Sequence, residues 1–300
     1  MKENSFASKW HPLYLLLKIL LFLVAILPKS FLSFFADLLG RLACKLAKKD
    51  TRIIQQNIKR VMDLAPHSEF SKLFVRQVFR HQAVSLMETI REIAVPGSIE
   101  VSGLCEYQRL VEDAKKEHLG VVIVTAHLGS WELVARYGAQ VAKDSFYALA
   151  KPSKYSAVSR FLDDLRPRMG TKVLWTNKAS LLKDMMSALK TNKLLGFVMD
   201  QKPDERVGHD VDFLGLKTCF VSGPARLALK KKSPIIGVFC VREGPWHYRI
   251  ICEKIESDID KQNQEVFLTQ RMADVISRNI KLYPEQWVWN YRRWQSLPLG

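Results

Sequence analysis

Several things are missing from this chain of 300 residues, and each absence removes a class of function. There is no GxSxG elbow, which disfavours a covalent acyl-enzyme, and no HExxH, clustered Asp or His/Cys spacing that would hold a metal. Cysteines are few and odd in number (Cys44, Cys105, Cys219, Cys240 and Cys252) and form no CxxC pair, which argues against a zinc site or a fully paired disulfide framework and for a reducing compartment. No RNP, helix-turn-helix or zinc-finger pattern supports nucleic-acid binding. No internal repeat or low-complexity linker divides the chain. Acidic residues are also scarce, 30 against 46 basic ones, a formal net charge of +16 that attracts polyanionic partners.

What is present is concentrated first at the N-terminus. Residues 12–27, PLYLLLKILLFLVAIL, are apolar but for Lys18, and as a helix they reach roughly 24 Å against a hydrocarbon core of ~30 Å. That length is compatible with crossing a locally thinned bilayer or with lying on its surface. No small-residue cleavage site follows, so the segment is expected to be retained. Next, Phe31, Phe34, Phe35, Leu38, Leu39, Leu42 and Leu46 share one helical face, with Arg41, Lys45, Lys48 and Lys49 on the other. Residues 41–60 carry seven basic side chains against Asp50 alone. A buried core helix would explain the apolar run but not the basic stripe beside it; anionic headgroups explain both. Residues 1–50 are therefore read as membrane-anchoring helices and 51–300 as a catalytic domain. If the first helix spans, the basic excess places its C-terminal side in the cytoplasm.

Beyond a helix at 70–94, short β-rich runs at 121–125, 145–150, 173–175, 195–199, 235–241 and 248–252 alternate with helical patterns near 131–142, 154–166, 179–190, 222–231 and 263–282. This alternation predicts an α/β fold with a mixed central sheet flanked by helices. Ligand-contacting groups in such sheets gather at the C-terminal ends of strands. Two polar clusters occupy such ends: His127 to Glu132 after VVIVTA, and Asp200-Gln201 after LLGFVM. Asp200 and Gln201 also fit a plain loop cap.

His127 and Glu132 are five residues apart, about 140° around a regular helix, and so meet only if the chain bends between them. Gly129 and Ser130 offer the bend, with Ser130 as N-cap of a helix whose first turn holds Glu132. A carboxylate accepting one imidazole N–H would fix the tautomer and leave the other nitrogen as a general base for a hydroxyl. Neither Ser130 nor Cys219 has a base partner by motif, which disfavours a covalent intermediate.

The His127/Glu132 spacing resembles the HxxxxD/E motif of the lysophospholipid acyltransferase superfamily. Four further stretches resemble its lipid A (Kdo-lipid IV A type) acyltransferase branch, to which bacterial phosphatidylinositol mannoside acyltransferases are related. They are Arg166-x-Arg168-x-Gly170; Met199-Asp200-Gln201 with Phe213 to Leu216 and Thr218; Ser222 to Ala228; and Pro284 to Trp289 closing on Arg292-Arg293. The resemblance implies transfer of an acyl chain from an acyl thioester, acyl carrier protein or acyl-CoA, to a hydroxyl of an anionic glycolipid at the bacterial inner membrane, on the cytoplasmic side, without cofactor. His127 and Glu132 would be catalytic; Arg166, Arg168, Asp200 and Gln201 would bind substrate, with Arg168 the favoured oxyanion donor and Arg166 the more exposed. A lysophospholipid or glycerol-phosphate acceptor, and a basic membrane-surface scaffold without catalysis, are the alternatives. Glu285, Arg292 and Arg293 are assigned to structural ion pairing, Trp287, Trp289 and Trp294 to packing, and His209 beside Asp210 to a surface loop.

Overall fold

In the computed structural model, residues 11–143, 146–152, 155–203, 208–256 and 263–294 are described. The expected strand and helix starts at Ser145 and Lys154 lie outside them. Four N-terminal helices, α1 (Pro12–Ile26), α2 (Lys29–Leu46), α3 (Lys48–Met62) and α4 (Glu69–Ala94), precede the sheet. Strands β1 (Glu100–Ser102), β2 (Val121–Thr125), β3 (Phe146–Ala150), β4 (Thr171–Trp175), β5 (Leu194–Val198), β8 (Ile235–Gly244) and β9 (His247–Ile255) form one sheet, and β6 (Gly208–Phe213) with β7 (Leu216–Val221) a separate hairpin. The sheet order is β1-β9-β8-β2-β5-β3-β4, with only β8 and β9 antiparallel. The expected mixed sheet is thus present.

The helices between strands are α5 (Leu104–Lys116), α6 (Trp131–Ala142), α7 (Ser156–Leu165), α8 (Leu181–Lys190), α9 (Gly223–Lys231) and α10 (Gln264–Leu282). Every residue of β2 is buried, as a central parallel strand covered on both faces requires. Val121 and Ile123 face a core built with α5 and α6, while Val122 and Val124 face one built with α8, α9, α10 and the hairpin. The sequence pattern had no counterpart for β1, which has three residues, nor for the β6–β7 hairpin, α3 and α5. His209 lies in β6 rather than a surface loop, with its Nε2 2.9 Å from Glu265 Oε1.

The N-terminal helices depart from one expectation and match another. Among the described residues no helix is long and apolar enough to cross a membrane. α1 has 15 residues, about 22 Å, and it lies against the domain. Its Leu21 and Val24 are buried, Tyr14 Oη donates to Asp164 Oδ2 (2.5 Å), and Arg91 Nη1 donates to the carbonyls of Val24 (2.5 Å) and Leu27 (3.3 Å). α2 packs on α4 through Leu32, Ala36 and Gly40, where a Cβ on Gly40 would stand 2.8 Å from Arg80 Cα. Because that small-residue stripe faces inward, the phenylalanine and leucine face points out. Phe31, Phe34, Phe35, Leu38, Leu39, Leu42 and Leu46 are all exposed, as are Leu16, Ile19, Leu20 and Phe22 of α1.

The turn from β2 into α6 is pinned from two sides. Val288 N–H donates to the His127 carbonyl (3.1 Å), Gly129 N–H to the Gln286 carbonyl (3.1 Å) and Ser130 N–H to the Cys240 carbonyl (2.8 Å). Gly129 has φ +59° and sits so close to β8 that a Cβ would collide with the Cys240 carbonyl. Ser130 occupies the N-cap position as expected, but its hydroxyl bonds Thr89 Oγ1 (2.6 Å) instead of capping. Gly129→Ala is expected to cost on the order of 2 kcal/mol or more, from the left-handed backbone and the collision together, measured as a lowered urea midpoint at unchanged slope.

Candidate active site

His127 leaves the C-terminal end of β2 and Asp200 follows the neighbouring β5, so parallel pairing of Thr125 with Val198 sets the two side by side. Asp200 is 3% exposed and its carboxylate is shared. Oδ1 lies 2.8 Å from His127 Nδ1, while Oδ2 accepts from the His127 backbone N–H (3.0 Å) and from Trp287 Nε1 (2.7 Å). Behind it, Arg293 Nη1 donates to the Asp200 carbonyl (2.6 Å). Arg293 is itself buried, stacked 4.7 Å from the Phe213 ring and 4.3 Å from that of Phe220, and burial lowers its pKa to about 10.

An imidazole that gives Nδ1–H to a carboxylate keeps Nε2 as its lone-pair nitrogen. That nitrogen lies 3.4 Å from Gln201 Nε2, and the ring stands edge-on to Trp131 at 4.9 Å. Burial pushes the His127 pKa down, but the Asp200 charge, its hydrogen bond and the Glu132 charge outweigh it, so the net direction is up. Burial likewise works against an ionised Asp200, yet His127, Trp287 and the His127 backbone N–H hold it below the usual carboxylate range. Asp200, placed among substrate-binding residues by the sequence reading, is therefore the carboxylate that bonds the ring. Glu132, in the first turn of α6, acts on the ring through its charge.

The site opens into a cavity of about 430 Å³ lined by His127, Trp131, Glu132, Gln201 and residues of β2, β3, β4, β5 and α6. Its charged lining is Glu132 with Lys151, Arg166 and Lys202, so cations dominate. Arg166 is part of it, with its guanidinium 5.7 Å above the Trp175 ring and 3.8 Å from Asp163 Oδ1. Arg168 is exposed and does not line it. The order expected from sequence is therefore reversed, because the 3-10 turn Arg166–Met169 aims its first arginine inward. On the other side of Trp131 and Glu132 lies a second cavity of about 370 Å³, whose further lining includes Ser85, Thr89, Gln286 and Asn290 and no lysine or arginine. A larger hollow of about 780 Å³ lies between Arg109, Ala228 and Lys254 at the opposite end of the strands and contains no histidine, so size alone does not mark the reactive site.

Trp287 and Arg293 escaped sequence reasoning as site residues. Both read as packing or ion pairing, and only the Pro284 to Arg293 motif, taken as a unit, pointed to them. Glu285 lies 3.9 Å from His81 Nε2, a structural contact as expected.

The model of a family described as "Bacterial lipid A biosynthesis acyltransferase" matches residues 4–296. Similar curated proteins include the phosphatidylinositol mannoside acyltransferase of Mycolicibacterium smegmatis, 28% identical over 56% of this chain and 54% of that protein, so that the match spans about half its length. The Mycobacterium tuberculosis protein of the same name is 23% identical over 78% of this chain and 74% of its own. The lipid A biosynthesis palmitoleoyltransferase of Escherichia coli is 24% identical over 91% and 88% respectively.

Replacing Asp200 by Asn removes the charge that raises the His127 pKa. The rate of the reaction catalysed at this site is expected to fall about 10²–10⁴-fold, as for other orienting carboxylates. The acid limb of its pH profile should move to lower pH, read from kcat/KM between pH 5 and 9. Trp287→Phe removes one donor from the same carboxylate and should give a smaller loss, about tenfold, in the same assay.

Proposed function

Because the chain belongs to the bacterial lipid A biosynthesis acyltransferase family, we propose that it moves a fatty acyl group from an acyl thioester, carried by acyl carrier protein, to a hydroxyl of a lipid A precursor or related anionic glycolipid. The observation that carries this reading is the His127–Asp200 pair, which turns a basic Nε2 toward a largely cationic cavity. His127 takes the proton from the acceptor hydroxyl as its oxygen bonds the thioester carbonyl carbon. The imidazolium that forms is stabilised by Asp200 at contact and by Glu132 at longer range. Collapse breaks the C–S bond, and the departing thiolate receives the proton from Nε2. The carbonyl oxygen, negative in between, needs a donor; the Gln201 amide, 3.4 Å from Nε2, is placed to serve.

The acyl chain occupies the cavity between α6 and the sheet, and Lys151, Arg166 and Lys202 at its rim meet anionic groups of the substrates. The acceptor approaches by the cavity beyond Trp131, which has no lysine or arginine in its lining and shares Glu132 with the first. Lipid substrates require a protein that sits at the bilayer. The exposed faces of α1 and α2 supply apolar area, and Lys45, Lys48, Lys49 and Arg52 beside them supply charge for anionic headgroups. Residues 1–50 thus seat the chain on the cytoplasmic side of the inner membrane, and residues 51–300 carry the chemistry.

Purified protein given labelled acyl carrier protein thioesters should acylate a phosphorylated glucosamine disaccharide lipid or a phosphatidylinositol mannoside in preference to lysophosphatidic acid, with His127→Ala at background. Product only with lysophosphatidic acid would move the acceptor to the phospholipid class. No product with any acceptor would leave the scaffold reading. In co-sedimentation with vesicles containing anionic lipid, replacing Leu20 and Phe34 together by Glu should reduce the bound fraction at least tenfold.

A further inference from the structure

On the α6 side of the sheet, the cavity is lined along β3 and β5 by Ala150, Ala148, Phe146, Val198 and Gly196. Side chains alternate along a strand, so Ala150, Ala148 and Phe146 follow one another down the same face. The step from Ala150 to Phe146 is about 13 Å. Opposite them on β5 stands Gly196, paired with Ala148. Ala148 leaves space beside it, and the Phe146 ring, seated over Gly196, closes it. The Phe146 ring leans up the channel over Gly196, where a Cβ would collide with its Cε1 and Cζ. Across the channel Gly138 of α6 leaves room for the same ring, since a Cβ there would stand 2.6 Å from Phe146 Cδ2 and 2.7 Å from the Tyr107 hydroxyl. Two glycines on two different elements therefore accommodate one ring, and behind it Tyr107 is fully buried.

We infer that Phe146 is the floor of the acyl channel and sets the length of chain the enzyme transfers. This deepens the proposed function and rests on it, because it takes the cavity beside His127 as the acyl site. A chain entering past His127 and the charged rim meets Val134, Ala135, Ala148 and Val173, with Thr125 and Thr171 beside them, before its terminal methyl reaches the ring. A longer chain would have to displace Phe146 toward Tyr107 or bend back to the mouth, and a shorter one would leave part of the channel unfilled. Phe146 is thus a specificity-determining residue, remote from the reacting atoms.

Two substitutions at different depths move the floor in opposite directions. Phe146→Leu trims the ring while keeping an apolar side chain at a buried strand position; Ala148→Leu puts new bulk one step above it. Each protein is offered an equimolar ladder of saturated acyl carrier protein thioesters, and the bound species are counted by native mass spectrometry, a readout that needs no acceptor. Transfer products are then measured with the acceptor used by the parent protein. Phe146→Leu should shift the preferred chain to longer members, by about fourfold for each further methylene accommodated, and Ala148→Leu to shorter ones. If both variants bind and transfer with the parent's length preference, Phe146 is not the floor, and the acyl-transfer reading stands without it. If the parent protein binds no acyl thioester and transfers none, that reading fails and the inference falls with it.

Discussion

A carboxylate buried at the end of a parallel strand is the constraint on which the site depends. Asp200 is almost without solvent contact, and an ion in that position is costly unless its lone pairs are taken. Three donors take them: the His127 ring, the His127 backbone and the Trp287 indole. Because two of these belong to one residue, Asp200 fixes both the chain path and the ring of His127. Solvation of the carboxylate and orientation of the base are one arrangement, and neither can be altered alone.

That arrangement is assembled from distant parts of the chain. β2 and β5 bring His127 and Asp200 together by parallel pairing. The segment after α10 then crosses over the strand ends, and its backbone bonds the His127 turn while Trp287 and Arg293 reach under Asp200. The turn itself is closed on its other side by β8. The cavity that the base faces is roofed by α6 and walled by small residues of β3 and β5, so reactive group and apolar channel share the same strands. α2 packs on α4 through Ala36 and Gly40, and α1 and α2 leave many of their large apolar side chains outward, a division that suits a protein working on lipid substrates.

Much of this was legible in the sequence, and the exceptions have physical causes. The all-apolar run of β2, the polar residues that follow it and the helical period after Ser130 marked the site because a covered central strand has no other way to be written. His127, Asp200 and Gln201 were therefore found, each just past a strand end. Their pairing was not. Sequence spacing favoured Glu132, five residues away, whereas the hydrogen bond comes from Asp200, 73 residues on, through sheet register that no local pattern encodes. Arg166 and Arg168 were ranked in the wrong order because which of two arginines faces inward depends on a 3-10 turn. The amphipathic pattern of residues 31–46 matches the exposed apolar face, while the apolar run before it left a span or a surface position open, and among the described residues no helix is long and apolar enough to cross.

The central claim is that His127 is a base whose Nδ1–H is held by an ionised Asp200. Nitrogen-detected NMR of the His127 ring, titrated in the detergent-solubilised full chain, tests it most directly. The account predicts a protonated Nδ1 in the neutral form, Nε2 as the titrating nitrogen, and a pKa above the ordinary imidazole value of about 6.5. A ring protonated at Nε2 in its neutral form, titrating at or below that value, would contradict it.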